Sequence, residues 1–340
     1  KQANDYLDKV IAYEKSTDKS SWKNLITLVA DDHLTSQGID LAGNTMQSER
    51  LSQSRIPPEY EQKKVYLINY PTVQTSLGRR KPEVNAAIVN AINEGTVLLN
   101  YIGHGSPELW AHEQVFVRSS TIPQLKNSRY FFLTAATCDF GYYDKTEVQS
   151  ATEDLLFLPG AGAIGVYTAV RPVFSEQNTI LNDSLYHQML KWGRDTENLP
   201  KRMGTAYLLT KVNFLTENDQ KFQLFSDPAL RLMLPQYYGK IDSINGADPA
   251  ITAVPVKALN TIKIGGTVKK ADGTPWNDFT GEGLLTVYDA ETTLPLPEIS
   301  PSAAMKVPGG LIFRGRVSVV NGKFSTDFVV PKDISYDTQK

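Results

Sequence analysis

Two residues in this chain are suited to act as a nucleophile and its base: Cys138, the sole cysteine, and His104. A thiolate, not a thiol, attacks a carbonyl carbon, and a neighbouring histidine raises the thiolate fraction. Each of the two closes a run of apolar residues. Thr96-Val-Leu-Leu-Asn-Tyr-Ile-Gly103 leads into His104-Gly105-Ser106, and Tyr130-Phe-Phe-Leu-Thr-Ala-Ala-Thr137 leads into Cys138-Asp139. The backbone N–H groups of Gly105 and Cys138 are candidate oxyanion donors, and one such donor is worth about 3–4 kcal/mol. The glycines flanking His104 are expected to let a substrate backbone pass close by. A lone cysteine in an apolar strand is ordinarily an inert core residue, and Gly-His-Gly is compatible with a plain loop. The joint occurrence of the two at strand ends favours chemistry.

Both runs are continuously apolar, as strands of a parallel sheet covered on both faces are. In such sheets ligands bind beyond the carboxyl ends of the strands. The two residues lie 34 positions apart, room for one strand–helix crossover, so their strands are expected side by side or one apart. Further strands are expected over Leu25–Ala30, Lys64–Ile68 and Gly162–Ala169. Helices are expected over Asp5–Lys15, Pro82–Asn93, Glu147–Leu158, Ser175–Trp192 and Lys201–Leu215. Pro82 suits a first helical turn and Gly95 a stop. This alternation predicts a parallel α/β/α domain over residues 1–236. Residues 237–260, rich in Gly, Pro, Asp and Ala, are expected as a linker. Beyond them come β-type runs at Thr261–Lys269, Gly283–Asp289, Leu311–Val320 and Lys323–Val330. Asn321-Gly322 between the last two is a hairpin signal. Residues 261–340 are therefore expected to form an all-β, immunoglobulin-like sandwich, cut short because seven strands take about 100 residues.

Composition narrows the classes. A formal charge of −2, with 41% hydrophobic and 21% charged residues, suits a globular protein with a sizeable core. It gives no reason to expect nucleic-acid binding. No run approaches the roughly 20 apolar residues of a membrane helix. One cysteine excludes an internal disulfide framework and a cysteine-based zinc site. The start at Lys1, without methionine or an apolar leader, is expected of a processed product or a piece of a longer protein. No Gly-x-Ser-x-Gly elbow, P-loop or His-Glu-x-x-His motif occurs.

Other residues are weaker candidates. Asp31, Asp32 and His33 close the first strand, where the acids are placed to bind substrate, hold a cation or orient His104, or simply to cap a turn. Trp110 follows the histidine loop as a candidate pocket wall or a packing residue. Arg171 and Phe174 leave the fifth strand as pocket candidates. His33, His112 and His187 are expected at the surface. Glu147, Glu153 and Asp154 suit the positive end of a helix, with Glu153 also expected to touch bound substrate. No compact oxygen-ligand loop is visible, and no cofactor or metal is expected.

Asn100-Tyr-Ile-Gly-His-Gly-Ser106 and Leu133-Thr-Ala-Ala-Thr-Cys-Asp139 resemble the His-Gly and Ala-x-Cys signature of the gingipain-type cysteine peptidases. Gly160-Ala-Gly-Ala-Ile-Gly-Val-Tyr-Thr168 and Leu224-Phe-Ser-Asp-Pro-Ala-Leu230 resemble two further segments of that family, with Ser226 where glycine is frequent. The resemblance implies a caspase-like fold, with His104 as catalytic histidine and Cys138 as nucleophile. Gly103-His-Gly-Ser-Pro-Glu-Leu-Trp-Ala-His-Glu113 and Leu311-Ile-Phe-Arg-Gly-Arg-Val-Ser-Val-Val-Asn-Gly-Lys-Phe324 are similar to a sortase subgroup of the family. That likeness implies removal of a C-terminal signal domain from type IX secretion cargo through an acyl-thioester. It implies transfer of the cargo to an amine on anionic lipopolysaccharide, beside other type IX components at the bacterial outer membrane and cell surface. The competing expectation is a catalytically inactive caspase-like scaffold or adhesion module.

Overall fold

The computed structural model describes residues 1–35, 38–40, 43–190, 194–212 and 216–334. It divides into two compact units, Lys1–Leu234 and Pro235–Lys340.

The first unit is built on a six-stranded sheet. Its order is Phe222–Phe225, Ala163–Ala169, Phe131–Ala136, Leu98–Ile102, Leu25–Ala30 and Glu61–Tyr66. Five strands are parallel, and the Phe222–Phe225 edge strand is antiparallel. The three central strands are buried along nearly their whole length, which is why their sequences are apolar without alternation. Helices Gln2–Glu14, Pro82–Glu94, Ala151–Phe157, Ser175–Met189 and Met203–Lys211 correspond to the expected five. Two of the expected helix ends, at residues 191–192 and 213–215, lie outside the described residues. The helix Asn44–Ser54 was not expected, because its apolar stripe is thin. What it buries is largely polar: Ser48, Ser52 and Glu49, the last held by Lys64 at 2.8 Å.

Polar side chains inside the sheet set its packing. Asn100 donates to Thr134 Oγ1 at 2.6 Å on the next strand and to Asn182 Oδ1 at 2.9 Å on helix Ser175–Met189. The N-terminal helix is stapled down in the same way. Tyr6 Oη donates to the Ile164 carbonyl, Tyr13 Oη accepts from the Met233 N–H, and Lys9 is 2% exposed. The Lys9 ammonium donates to the carbonyls of Leu155, Ala161 and Ala163 at 2.9–3.1 Å, so each of its three donors has an acceptor.

The second unit is an antiparallel five-stranded sheet ordered Tyr237–Ile244, Thr261–Lys270, Lys323–Val329, Leu311–Val320 and Gly281–Tyr288, with a separate ribbon of Thr292–Pro295 and Ala304–Val307. The expected linker therefore opens with a strand, which pairs along Thr261–Lys270. The turn at Asn321-Gly322 takes φ of +50° and +72°, the two positive values that a tight hairpin matching the strand twist requires. Ile262, Ile264, Phe328 and Val330 form this unit's small core.

Replacing Lys9 by Met keeps the length of the side chain and leaves three buried carbonyls without a donor. The first unit is expected to lose about 2–4 kcal/mol, to be read from denaturant unfolding of both chains.

Candidate active site

The carboxyl ends of three neighbouring strands are level. Ala30 pairs with Ile102, and Ile102 pairs with Ala136. Backbone bonds continue one residue further, from Asp31 N–H to the Ile102 carbonyl at 2.9 Å and from Gly103 N–H to the Ala136 carbonyl at 3.4 Å. His104 and Cys138 each stand two residues past a paired position, Ile102 and Ala136, on adjacent strands. Adjacent strands run about 4.8 Å apart, so the two candidate residues leave the sheet at neighbouring places on its rim.

His104 is mounted from several sides. Its N–H donates to Asp31 Oδ2 at 3.0 Å, and its carbonyl accepts from Tyr101 Oη at 2.6 Å and from the Ala111 N–H at 2.9 Å. Its ring Nε2 meets Asp40 Oδ2 at 3.0 Å, with the ring 43% exposed and the carboxylate 9% exposed. This pairing leaves Nδ1 as the ring nitrogen available to a reacting group. Asp40 was not among the sequence candidates. It follows the short hairpin of Leu34–Thr35 and Gly38–Ile39, and no periodicity marks it. Packing by itself requires the glycines beside His104. A Cβ on Gly103 would stand 2.4 Å from Asp31 Cβ and 2.6 Å from Tyr101 Oη, and one on Gly105 would stand 2.5 Å from Thr137 Oγ1.

Cys138 is half-buried, and its hydrogen-bond contacts among the described residues both go to Val173. The Val173 N–H donates to Sγ at 3.5 Å, and Sγ–H points to the Val173 carbonyl at 3.7 Å. No hydrogen bond joins Sγ to the His104 ring among these residues. Burial pushes the thiol above its ordinary value, and the Asp139 charge adds to the rise, while the Val173 N–H and Lys221 pull it back. Neither the Gly105 nor the Cys138 N–H donates to another described residue, the condition required of a pair of oxyanion donors. Asp139 takes a φ of +54°, uncommon for a residue other than glycine.

The remaining candidates separate. Trp110 has no exposed surface; it stacks on Tyr101 at 4.3 Å and on Phe116 at 4.5 Å, so it is core and not a pocket wall. Asp31 and Asp32 are 1% and 4% exposed, which places them behind the rim, out of reach of a substrate. Asp32 lies 3.5 Å from the Lys81 ammonium and accepts from the Leu34 N–H. Burial raises the Asp31 carboxyl well above the usual range, against the pull of its bond to His104 and with the push of Asp32 and Glu113. Asp31, Asp32 and Glu113 bring carboxylate oxygens within 4.8 Å of one another, as a cation site would. Protein cations already serve this group: Lys81 at Asp32, and Arg79, whose Nε donates to Glu113 at 2.8 Å. Arg171 and Phe174 flank Val173, and Phe174 is exposed. The Arg171 guanidinium is already engaged, bidentate on Asp144 at 3.0 and 2.5 Å and stacked over Tyr142 at 4.7 Å. Glu153 is occupied in capping its own helix through Ser150, and Asp154 accepts from Arg118. Among the other histidines, the His112 ring lies beside that of His104, 5.3 Å between centroids.

Residues 1–233 match the family model described as Peptidase family C25. The chain belongs to this family of cysteine peptidases. A comparison with curated proteins found no match. Among solved structures, the Arg-specific cysteine proteinase gingipain R, RgpB of Porphyromonas gingivalis, is 16% identical with a TM-score of 0.52, over 98% of this chain and 66% of that one. A second structure, described as a protease, is 13% identical with a TM-score of 0.51, over 97% of this chain and 72% of its own. These likenesses show the gingipain fold. Dimeric latent PorU from Porphyromonas gingivalis is 24% identical over 52% of this chain and 17% of that one, with a TM-score of 0.31. The chain thus spans about two thirds of gingipain R and a small part of PorU.

A thiol held above its ordinary value carries little thiolate at neutral pH. In the absence of substrate, Cys138 is expected to react with iodoacetamide at pH 7 more slowly than a free model thiol, whose value is about 8.5. The rate should climb with pH through a midpoint above the model's, as followed by mass spectrometry of the labelled chain.

Proposed function

We propose that this chain is a cysteine peptidase and transpeptidase that works through an acyl-thioester on Cys138. The observation that carries the reading is the equal offset of His104 and Cys138 beyond register-paired residues of adjacent strands. Family membership and the unengaged N–H groups of Gly105 and Cys138 support it. In the productive complex a substrate peptide displaces the Val173 contacts from Sγ. His104, with Nε2 held by Asp40, takes the thiol proton at Nδ1 as sulfur attacks the carbonyl, and the two N–H groups receive the developing oxyanion. His104 returns the proton to the leaving amine, and a water or an amine then resolves the thioester.

The finer reading is a sortase. It would remove a C-terminal secretion signal from type IX cargo and join the new carboxyl end to an amine of anionic lipopolysaccharide. It would act at the bacterial cell surface among other outer-membrane components of that pathway. Support for this is the likeness of the His104 loop sequence to that subgroup. Among the described residues no helix is long and apolar enough to cross a membrane. The all-β unit is read as an immunoglobulin-like module of the same protein. One observation favours a rival: the thiol rests on Val173, unjoined to His104, as in an inactive scaffold.

Cys138→Ala is expected to abolish processing of a cargo reporter while leaving the melting temperature within a few degrees, because a small thiol contributes little packing. Processing by that variant at the normal rate rejects the peptidase reading. Wild-type chain given the reporter and rising amine should yield an amide product; hydrolysed product alone at every amine concentration rejects transfer. Asp40→Ala is expected to lower kcat about 10–100-fold with little change in KM, because the ring loses its orienting carboxylate. Steady-state kinetics on a peptide substrate would show it.

A further inference from the structure

The geometry points to His112 as a second proton-handling group of the site, the base that deprotonates an amine arriving at the thioester. This rests on the transfer reading above and deepens it. His112 is exposed, and its ring centroid lies 5.3 Å from that of His104 at an inclination of 51°. The two rings share no direct hydrogen bond among the described residues, and the proposal sets an arriving amine beside both.

The mount of His112 is stiff. It lies in the turn between Leu109–Trp110 and Phe116–Val117. Ala111 before it is 1% exposed and donates its N–H to the His104 carbonyl, and Glu113 after it is 1% exposed and holds Arg79. Ala111 and Gln114 take φ of +59° and +56°. Two residues other than glycine in left-handed conformation are a cost that the surrounding contacts must offset, and such strain gathers at functional sites. Here its result is an exposed imidazole held beside the ring of His104.

The chemistry explains why one imidazole is not enough. Acylation and hydrolysis pass a single proton back and forth between Sγ, His104 and the leaving or entering group. An alkylamine arrives as an ammonium ion, with a value of about 10.4 for a lysine-like amine, and has no lone pair to attack with. It gives one proton to His112 and becomes a neutral amine. The amine nitrogen then bonds to the thioester carbon, the carbon–sulfur bond breaks and Cys138 leaves as a thiolate. The second proton passes from the new amide nitrogen to His104 and on to sulfur, and His112 releases its proton to water.

The test compares two amines that intercept the same thioester at pH 7: propylamine, which arrives protonated, and hydroxylamine, which is mostly neutral and needs no base. With wild-type, His112→Gln and His112→Ala chains acting on a peptide substrate, the ratio of propylamine adduct to hydroxylamine adduct is read by mass spectrometry. The ratio is expected to fall about tenfold or more in both variants, and added imidazole to raise it again in His112→Ala. A purely structural role would lower both adducts together and leave the ratio fixed. An unchanged ratio in both variants, or no response to imidazole, overturns the role of His112. Absence of either adduct with the wild type overturns the transfer reading itself.

Discussion

The site depends on the levelling of three strand ends. Parallel strands need crossover helices, so residues that meet at their carboxyl ends are always distant in sequence. What makes such a meeting reproducible is register. Here Ala30, Ile102 and Ala136 lie in one row, and backbone bonds extend the row to Asp31 and Gly103. A slip of one residue in either pairing would carry Cys138 or His104 to the opposite face. The polar bonds of Asn100 to Thr134 and Asn182, in the middle of an apolar sheet, work against such a slip, because a shifted strand would bury them unsatisfied.

Behind the rim, charge holds the histidine loop where packing alone would not. Asp31 receives the His104 N–H and belongs to a group of three buried carboxylates. Lys81 and Arg79 face two of them, and Lys81 also donates to the carbonyls of Leu67 and Tyr70. Three acids face two bases in a dry place, and burial first, with the charges of Asp32 and Glu113 adding to it, pushes the Asp31 carboxyl up. The arrangement ties the segments around residues 31, 79–81, 104 and 113 into one body. The loop that bears His104 and His112 is therefore braced by elements distant in the chain.

Much of this was legible beforehand where hydrophobic runs end abruptly in a reactive residue. The strands before His104 and Cys138, and the Asn321-Gly322 hairpin, announce themselves through composition and turn chemistry. Other features left no such trace. Asp40 follows a two-residue hairpin strand and resembles any surface acid. Asp31 and Asp32 drew attention through their place at a strand end, and only the fold reveals that they face inward. Trp110 reads as a pocket aromatic because it follows the histidine loop, yet Tyr101, Phe116 and Phe140 enclose it. The strand Tyr237–Ile244 was hidden by the Gly, Pro and Asp residues that follow it, since a window average cannot separate a strand from an adjoining loop.

The contrast between the two halves of the proposed dyad follows from these constraints. His104 is fixed at its N–H, its carbonyl and its ring, each by a separate partner. Cys138 is held at its sulfur by the N–H and carbonyl of a single residue, Val173. Val173 offers sulfur one donor and one acceptor, the same pair that any extended residue offers. In the proposed mechanism a substrate replaces it with no net loss of hydrogen bonds, and the exchange leaves the histidine mount untouched. On that proposal the rigid half of the site is the one that holds an orientation, and the exchangeable contacts lie on the half that admits a substrate.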